Sequence, residues 1–299
     1  MLSGMRRRPV GPQRGVLRWC SLACAVMAAG CIGAAHTPAP VAVPAPARDE
    51  SRESSLPVPF DLQEAVERAN ILGTNLFLLD VATASASDAL AARIGPLAQK
   101  GVGHYLALMG DDDDGRPDGS VEVLFFSEGD VPELEYRVRV GGARHAPEVR
   151  VEDPPGIVHE PLMTLLNARA LALEAVPHTS QVVNTVLMPQ RNGQIVVYVL
   201  AATRQPNVAV LGRHYRVEVA EDGAEVARVT ALSKDELELP TRDGAGQRLP
   251  ALAITEGGID HPTETHVFAS RLANVPIYVT TGRGRWKVRA TGIDYLGPR

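Results

Sequence analysis

The residues of this chain best suited to chemistry lie near its C-terminal end, in His261-Pro262-Thr263-Glu264-Thr265-His266. The order resembles a metalloprotease signature, but HExxH is missing, and the inverted HxxEH form would need histidine where Thr265 stands. Read as a strand, the segment puts Glu264 and His266 on one face, where they could ligate a metal with a third donor such as His104 or His159. The simpler reading is a strand histidine hydrogen-bonded to a carboxylate. A second constellation is Asp111-Asp112-Asp113-Asp114-Gly115-Arg116-Pro117-Asp118-Gly119, between the strand-like HYLALM and VEVLFF. Asp112, Asp114 and Asp118 around Gly115 offer oxygens for calcium. EF-hand spacing fails, because it would put Gly110 first and Val121 twelfth, so the competing reading is a solvated turn that Asp, Gly and Pro all favour. The third is cationic: Arg283, Arg285, Lys287 and Arg289 alternate with Trp286 and Val288. Period-2 placement gives one charged strand face, either a cradle for an anionic partner or an exposed face that discourages edge pairing.

Other chemistry is not signalled. There is no GxSxG elbow, no GxxxxGK phosphate loop and no GxGxxG opening a helix after a strand. Asp80, Asp88 and His104 are of catalytic type, yet nothing in their spacing joins them. The three cysteines, Cys20, Cys24 and Cys31, all precede residue 32, which excludes a disulfide framework, a cysteine zinc cluster or a thiol nucleophile from the body. No cofactor is implied.

The elements that must position these residues read as an α+β mixture of antiparallel β-meanders covered by a few helices. Asp61 and Glu64 have capping-box spacing ahead of Leu62, Val66, Ala69 and Leu72, with Gly73 as a stop. Leu76 to Val81 is an apolar run of strand length. Ser85 and Asp88 then open a second helix, which Gly95-Pro96 should kink or end early. A third helix starts at Pro161 and stops before Pro177. Asn192-Gly193 and Asp222-Gly223, flanked by β-branched runs, predict two type I′ hairpins. ETHVFAS, VPIYVTT and RWKVRATGIDYL read as a last strand series, with a turn at Gly282-Arg283-Gly284. LALM at 106–109 recurs as TVLM at 185–188, and YRVRV at 136–140 as YRVEV at 215–219, both offset by 79 residues. A duplicated unit of one helix and about four strands would explain the echo.

The first thirty residues read as an address. Arg6, Arg7, Arg8, Arg14 and Arg18 occur with no acid, and the uncharged run from Trp19 to Gly30 is of signal-peptide length, too short to span a bilayer. Ala28-Ala29-Gly30-Cys31 resembles the lipobox of bacterial lipoproteins, although Ala28 stands where that family usually has Leu. The resemblance implies lipid on Cys31 as the mature N-terminus, and Ile32 after it implies delivery to the outer membrane. Cleavage after Gly33-Ala34-Ala35, leaving a soluble periplasmic protein, is the alternative. Loss of the leader takes Lys+Arg from 30 to 25 against 35 Asp+Glu, and the formal charge from −5 to −10, so nucleic acid is a poor partner. Residues 37–49 alternate Pro with small residues, an extended stalk of roughly 40 Å at about 3.1 Å per residue.

The stretch NTVLMPQRNGQIVVYVLAAT to LGRHYRVEVAEDGAEV, with PTETHVFAS and VPIYVTT, is similar to exported proteins of Gram-negative bacteria that offer no activity or ligand to carry over. The expectation is a leader at 1–30, a lipid attachment site and linker at 31–58, and one α+β domain at 59–299, with sub-units 59–155 and 156–299. The role expected is non-catalytic binding or scaffolding at the envelope, with an unknown envelope partner; the alternative is a periplasmic hydrolase, with or without a metal at Glu264 and His266.

Overall fold

A computed structural model describes residues 55–111, 117–141, 146–177, 182–190, 192–203, 205–233 and 237–299. The leader, Cys31 and the Pro-rich linker lie outside the described residues. What is described is an α+β fold of three helices and antiparallel-dominated sheets.

Helix α1 (Gln63–Ile94) runs unbroken for 32 residues. It takes in the segment expected as a strand, Leu76 to Val81, and both helices expected on either side of it. Its buried positions, Ala69, Gly73, Leu76, Leu79, Ala82, Ala86 and Leu90, recur every three or four residues, which is a helical stripe. The run looked strand-like because Leu78 and Val81 on the opposite side are apolar too, and both are exposed. Thr74, Thr83 and Ser87 turn their hydroxyls back onto the carbonyls of Asn70, Leu79 and Thr83 and so stay within the helix. Asp61 does not cap: α1 begins after a 3-10 turn at Phe60–Leu62, and the Asp61 carboxylate pairs with Arg283 at 2.9 Å. Gly95, at φ 95°, ends the helix as expected.

Gly73 is not a stop but a crossing point. A Cβ there would lie 2.5 Å from the Glu264 carbonyl oxygen and 2.5 Å from Val267 Cβ, so the backbone of another helix occupies the space. Alanine normally stabilises a helix interior over glycine by about 1 kcal/mol. At position 73 the sign should invert, with Gly73→Ala losing about 1–2 kcal/mol through overpacking. Urea unfolding of the two proteins measures it, and a stabilised alanine variant would show that the helices part without cost.

The chain then forms β1 (Val102–Asp111), β2 (Pro117–Ser127), β3 (Leu134–Gly141) and β4 (Glu148–Gly156), a meander paired in that order. Helix α2 (Glu160–Ala175) follows, with Pro161 in its first turn as expected. The second sheet takes β5 (Val182–Pro189) and β6 (Ile195–Ala202). After the short strand β7 (Val208–Val210) it adds β8 (Tyr215–Val219) and β9 (Val226–Ala231), in the order β5-β6-β8-β9. The echoed segments fall on equivalent places: LALM and TVLM lie in the first strand of their sheets, YRVRV and YRVEV in the third. Each sheet follows a helix, the arrangement the 79-residue offset implied. Both expected hairpins form, in other turn geometry. Gly193 and Gly223 are left-handed, at φ 85° and 67°, and each donates to the residue three before it, whereas Asp222 is not left-handed as type I′ requires.

The two sheets meet along β1 and β5. There the Tyr105 hydroxyl bridges to the Thr185 backbone, 3.4 Å from its N and 3.5 Å from its O. Arg169 of α2 stacks over the Tyr105 ring and donates to Thr185 Oγ1 at 2.7 Å. One face of both sheets packs on α1 through Val123, Phe125, Val186 and Leu200, and the other on α2 through Leu106, Phe126, Val197 and Val217.

The C-terminal part was expected as strands alone and is not. After β10 (Glu238–Pro240), which pairs with β7, β11 (Leu252–Glu256) runs into helix α3 (Glu264–Ala273). That helix returns the chain to β12 (Ile277–Thr281), parallel to β11. Then β13 (Arg285–Arg289) and β14 (Gly292–Gly297) complete the sheet as an antiparallel meander. ETHVFAS is therefore helical. Trp286 is the centre of this core, fully buried, with Nε1 on Thr281 Oγ1 at 3.0 Å and its ring 4.7 Å from that of Tyr295.

Candidate functional site

Helix α3 starts where it does because of His266. Thr263 is the N-cap, and His266, at the third helical position, returns its Nδ1 to accept the Thr263 amide at 3.0 Å. This is a capping box with histidine in the place usually held by Glu or Gln. The expected strand pairing of Glu264 with His266 does not arise, since residues two apart on a helix point to different sides.

Glu264 faces the second sheet. Its Oε1 accepts the Tyr198 hydroxyl at 3.0 Å and lies 3.6 Å from Arg216 Nη1. Tyr198 on β6 and Arg216 on β8 are direct cross-strand neighbours, and Glu218 stands 3.6 Å from the same guanidinium. Burial, followed by the Glu264 charge, pushes the Tyr198 phenol well above its ordinary pKa, so it serves as a fixed donor. Arg216 Nε is buried without a partner, so the arginine's donors are incompletely used.

His266 and His214 continue the network. With Nδ1 accepting, the His266 proton sits on Nε2, which faces Glu256 Oε1 at 3.5 Å and makes no hydrogen bond. His214, in the turn before β8, accepts the Ala201 amide on Nδ1 at 3.2 Å and directs Nε2 to the Val210 carbonyl at 3.3 Å. Its ring meets Phe268 of α3 edge-on. Burial lowers the His214 pKa to about 4.

Tyr198, His214, Glu264 and His266 are between 0% and 7% exposed between the second sheet and α3, whereas Arg216, Glu218 and Glu256, with side chains 20–29% exposed, carry the edge of the cluster to solvent. It can fix the junction of the second sheet with the C-terminal unit. Among the described residues, no three His, Cys, Asp or Glu side chains converge to hold a metal ion.

Elsewhere, Asp112 and Asp114 lie outside the described residues. Asp118 accepts the Ser120 amide at 2.8 Å and ion-pairs with Arg139 across the sheet. Hydrogen bonding from Ser120, with Arg139 beside it, lowers its pKa to about 2. In the cationic strand, Trp286 and Val288 point inward as alternation requires, but three of the four cations are individually engaged. Arg283 pairs with Asp61, Arg289 with Asp294 at 2.6 Å, and Lys287 is largely buried, 5.2 Å from the centre of the Tyr278 ring. Arg285 stands exposed. Asp80 is raised by burial and takes a hydrogen bond from Asn184, whereas Asp88 is exposed eight residues on, about 12 Å along α1. His104, on β1, has its pKa lowered by burial and by Arg169, and His159 is the N-cap of α2.

Comparison with known proteins adds no template. No protein-family model, curated protein sequence or solved structure matches this chain.

Sequence reasoning found Glu264 and His266 but missed Tyr198, Arg216, His214 and Glu256, which come from four other places in the chain. Arg216 carried one signal, a charge set between Tyr215 and Val217 in a strand that alternates charged with apolar residues. His214, inside a turn, carried none.

Proposed function

We propose that this protein is an envelope lipoprotein, anchored in the outer membrane through lipid on Cys31, whose folded body binds or scaffolds envelope components without catalysing a reaction. The hydrogen bond between the buried Tyr198 and Glu264, flanked by Arg216, carries the reading. The Tyr198 hydroxyl and the Glu264 carboxylate are committed to each other beneath α3, which supports a body that works through its surface. The anchor rests on Ala28-Ala29-Gly30-Cys31 after a basic, then apolar, leader, and the Pro-rich linker supplies reach. No helix among the described residues is long and apolar enough to cross a membrane.

Labelled palmitate fed to cells making the full chain tests the anchor. Label is expected on the wild-type protein in the outer-membrane fraction and none on Cys31→Ser; label persisting in the variant would refute lipidation at this residue. Crosslinking in intact cells tests the second half, with a reproducible protein, glycan or lipid adduct on the anchored protein expected. Recovery of the uncrosslinked protein alone would count against binding.

A further inference from the structure

We propose that the pocket between the loop after β10 and the end of α3 is a binding site for a phosphate-type oxyanion. The pocket, about 220 Å³, is lined by Asn207, Val208, Thr241, Arg242, Arg248, Leu272 and Ala273. It is below the roughly 300–1,000 Å³ of drug-sized ligand sites, which suits a single charged group.

Arg242 and Arg248 are held opposite each other by an isolated antiparallel bridge. Residues directly opposite in such a pair have neighbouring side chains, and like charges there are unfavourable. No carboxylate lines the pocket, although the protein is acidic overall. The nearest acid in sequence, Asp243, uses Oδ1 to hold the amides of Ala245 and Gln247 at 2.9 and 2.8 Å. Each guanidinium makes hydrogen bonds within the fold, but those bonds do not offset the like-charge contact between the two.

Both are positioned by neutral acceptors. Arg242 gives Nε to Asn207 Oδ1 and Nη1 to the Gly246 carbonyl, each at 2.8 Å. Arg248 gives Nη1 to the Asn274 carbonyl at 3.3 Å, an interaction the C-terminal end of α3 favours. That bond leaves the Nε–Nη2 edge of Arg248 for bidentate contact with two oxygens, and Arg242 keeps Nη2 for a third. Thr241, 7% exposed, forms the floor. Both side chains are exposed; the two bonds on Arg242 hold its guanidinium before the ligand arrives, which lowers the ordering cost of binding there.

The test is titration of the full chain with inorganic phosphate at constant ionic strength, with chloride as control, read by the Nε–Hε resonances of the arginines. Saturable shifts at Arg242 and Arg248, but not at the ion-paired Arg283 and Arg289, are expected. Affinity should fall at least tenfold in R242Q/R248Q, whose folding circular dichroism checks. Equal shifts at all four arginines, or chloride matching phosphate, would overturn the site, even if the double variant fails to fold. Cosedimentation with phosphatidate vesicles, against phosphatidylcholine vesicles, separates the sources. Vesicle binding lost in the double variant identifies a lipid headgroup, phosphate response without vesicle binding identifies a soluble phosphate, and the absence of both responses overturns the proposal.

Discussion

Glu264→Ala is expected to cost about 2–3 kcal/mol of stability, set mainly by the buried Tyr198 hydroxyl that loses its charged acceptor, because the Arg216 side of the ion pair is partly exposed. The loss has two parts. The Tyr198 hydroxyl, 1% exposed, forfeits its acceptor, and a hydrogen bond to a charged group contributes about 1.5–3 kcal/mol. Arg216 loses one of its two carboxylates and keeps Glu218 at 3.6 Å, which moderates the second part. A double-mutant cycle with Tyr198→Phe isolates the hydrogen bond, because phenylalanine keeps the ring packing and deletes the donor. Tyr198→Phe alone should lose about 1.5–3 kcal/mol, and in the Glu264→Ala background nearly nothing. Additive losses would mean that the two side chains do not depend on each other. The prediction concerns the joint between the second sheet and α3, so opening should begin there. Amide exchange along α3 should rise before exchange in β6.

What could be read from the chain follows from the range of the interactions that determine each element. The hairpins at Gly193 and Gly223, the α2 start at Pro161 and the Gly95 helix end are local, each decided within a few residues by φ preference or a missing amide. Leu76 to Val81 was misread because α1 is apolar on its exposed side as well, so a six-residue window showed no period; the period is evident only over 32 residues. The α3 segment hid for a different reason. Thr263 as cap, Glu264 in the first turn, Arg271 in the last and Asn274 in the left-handed position after it are all helix-end signals. They were outweighed by the β-branched residues among the first seven and by histidine standing in for the usual Glu of the capping box. The polar cluster was only half legible, since Tyr198 and Glu264 are 66 residues apart and only the packing of α3 on the second sheet unites them. A 79-residue echo, by contrast, was readable because equivalent strands of two similar sheets need similar faces.

The second large effect is acid sensitivity through His214. The fully buried ring accepts the Ala201 amide on Nδ1, and a protonated ring would turn a second N–H toward that donor. Burial therefore holds its pKa near 4, with the neighbouring His266 acting in the same direction and Glu256 against it. The unfolded chain titrates near 6.5, so between pH 6.5 and 4 the unfolded state binds a proton that the folded state refuses, and stability falls as pH falls. Above about pH 6.5 the contribution is constant, and below about 4 both states are protonated and no more is lost. The difference corresponds to about 3 kcal/mol across the window. Asp118, held near 2, adds its own loss only below the unfolded carboxylate pKa, so the two windows are separate. Urea midpoints at pH 7.5, 5.5 and 4.0 should decline for the wild type. His214→Gln should be less stable at pH 7.5, for want of the shaped acceptor, yet change less on acidification. A variant with the wild-type slope would place the acid-sensitive group elsewhere, with His104, also lowered by burial, the next to replace.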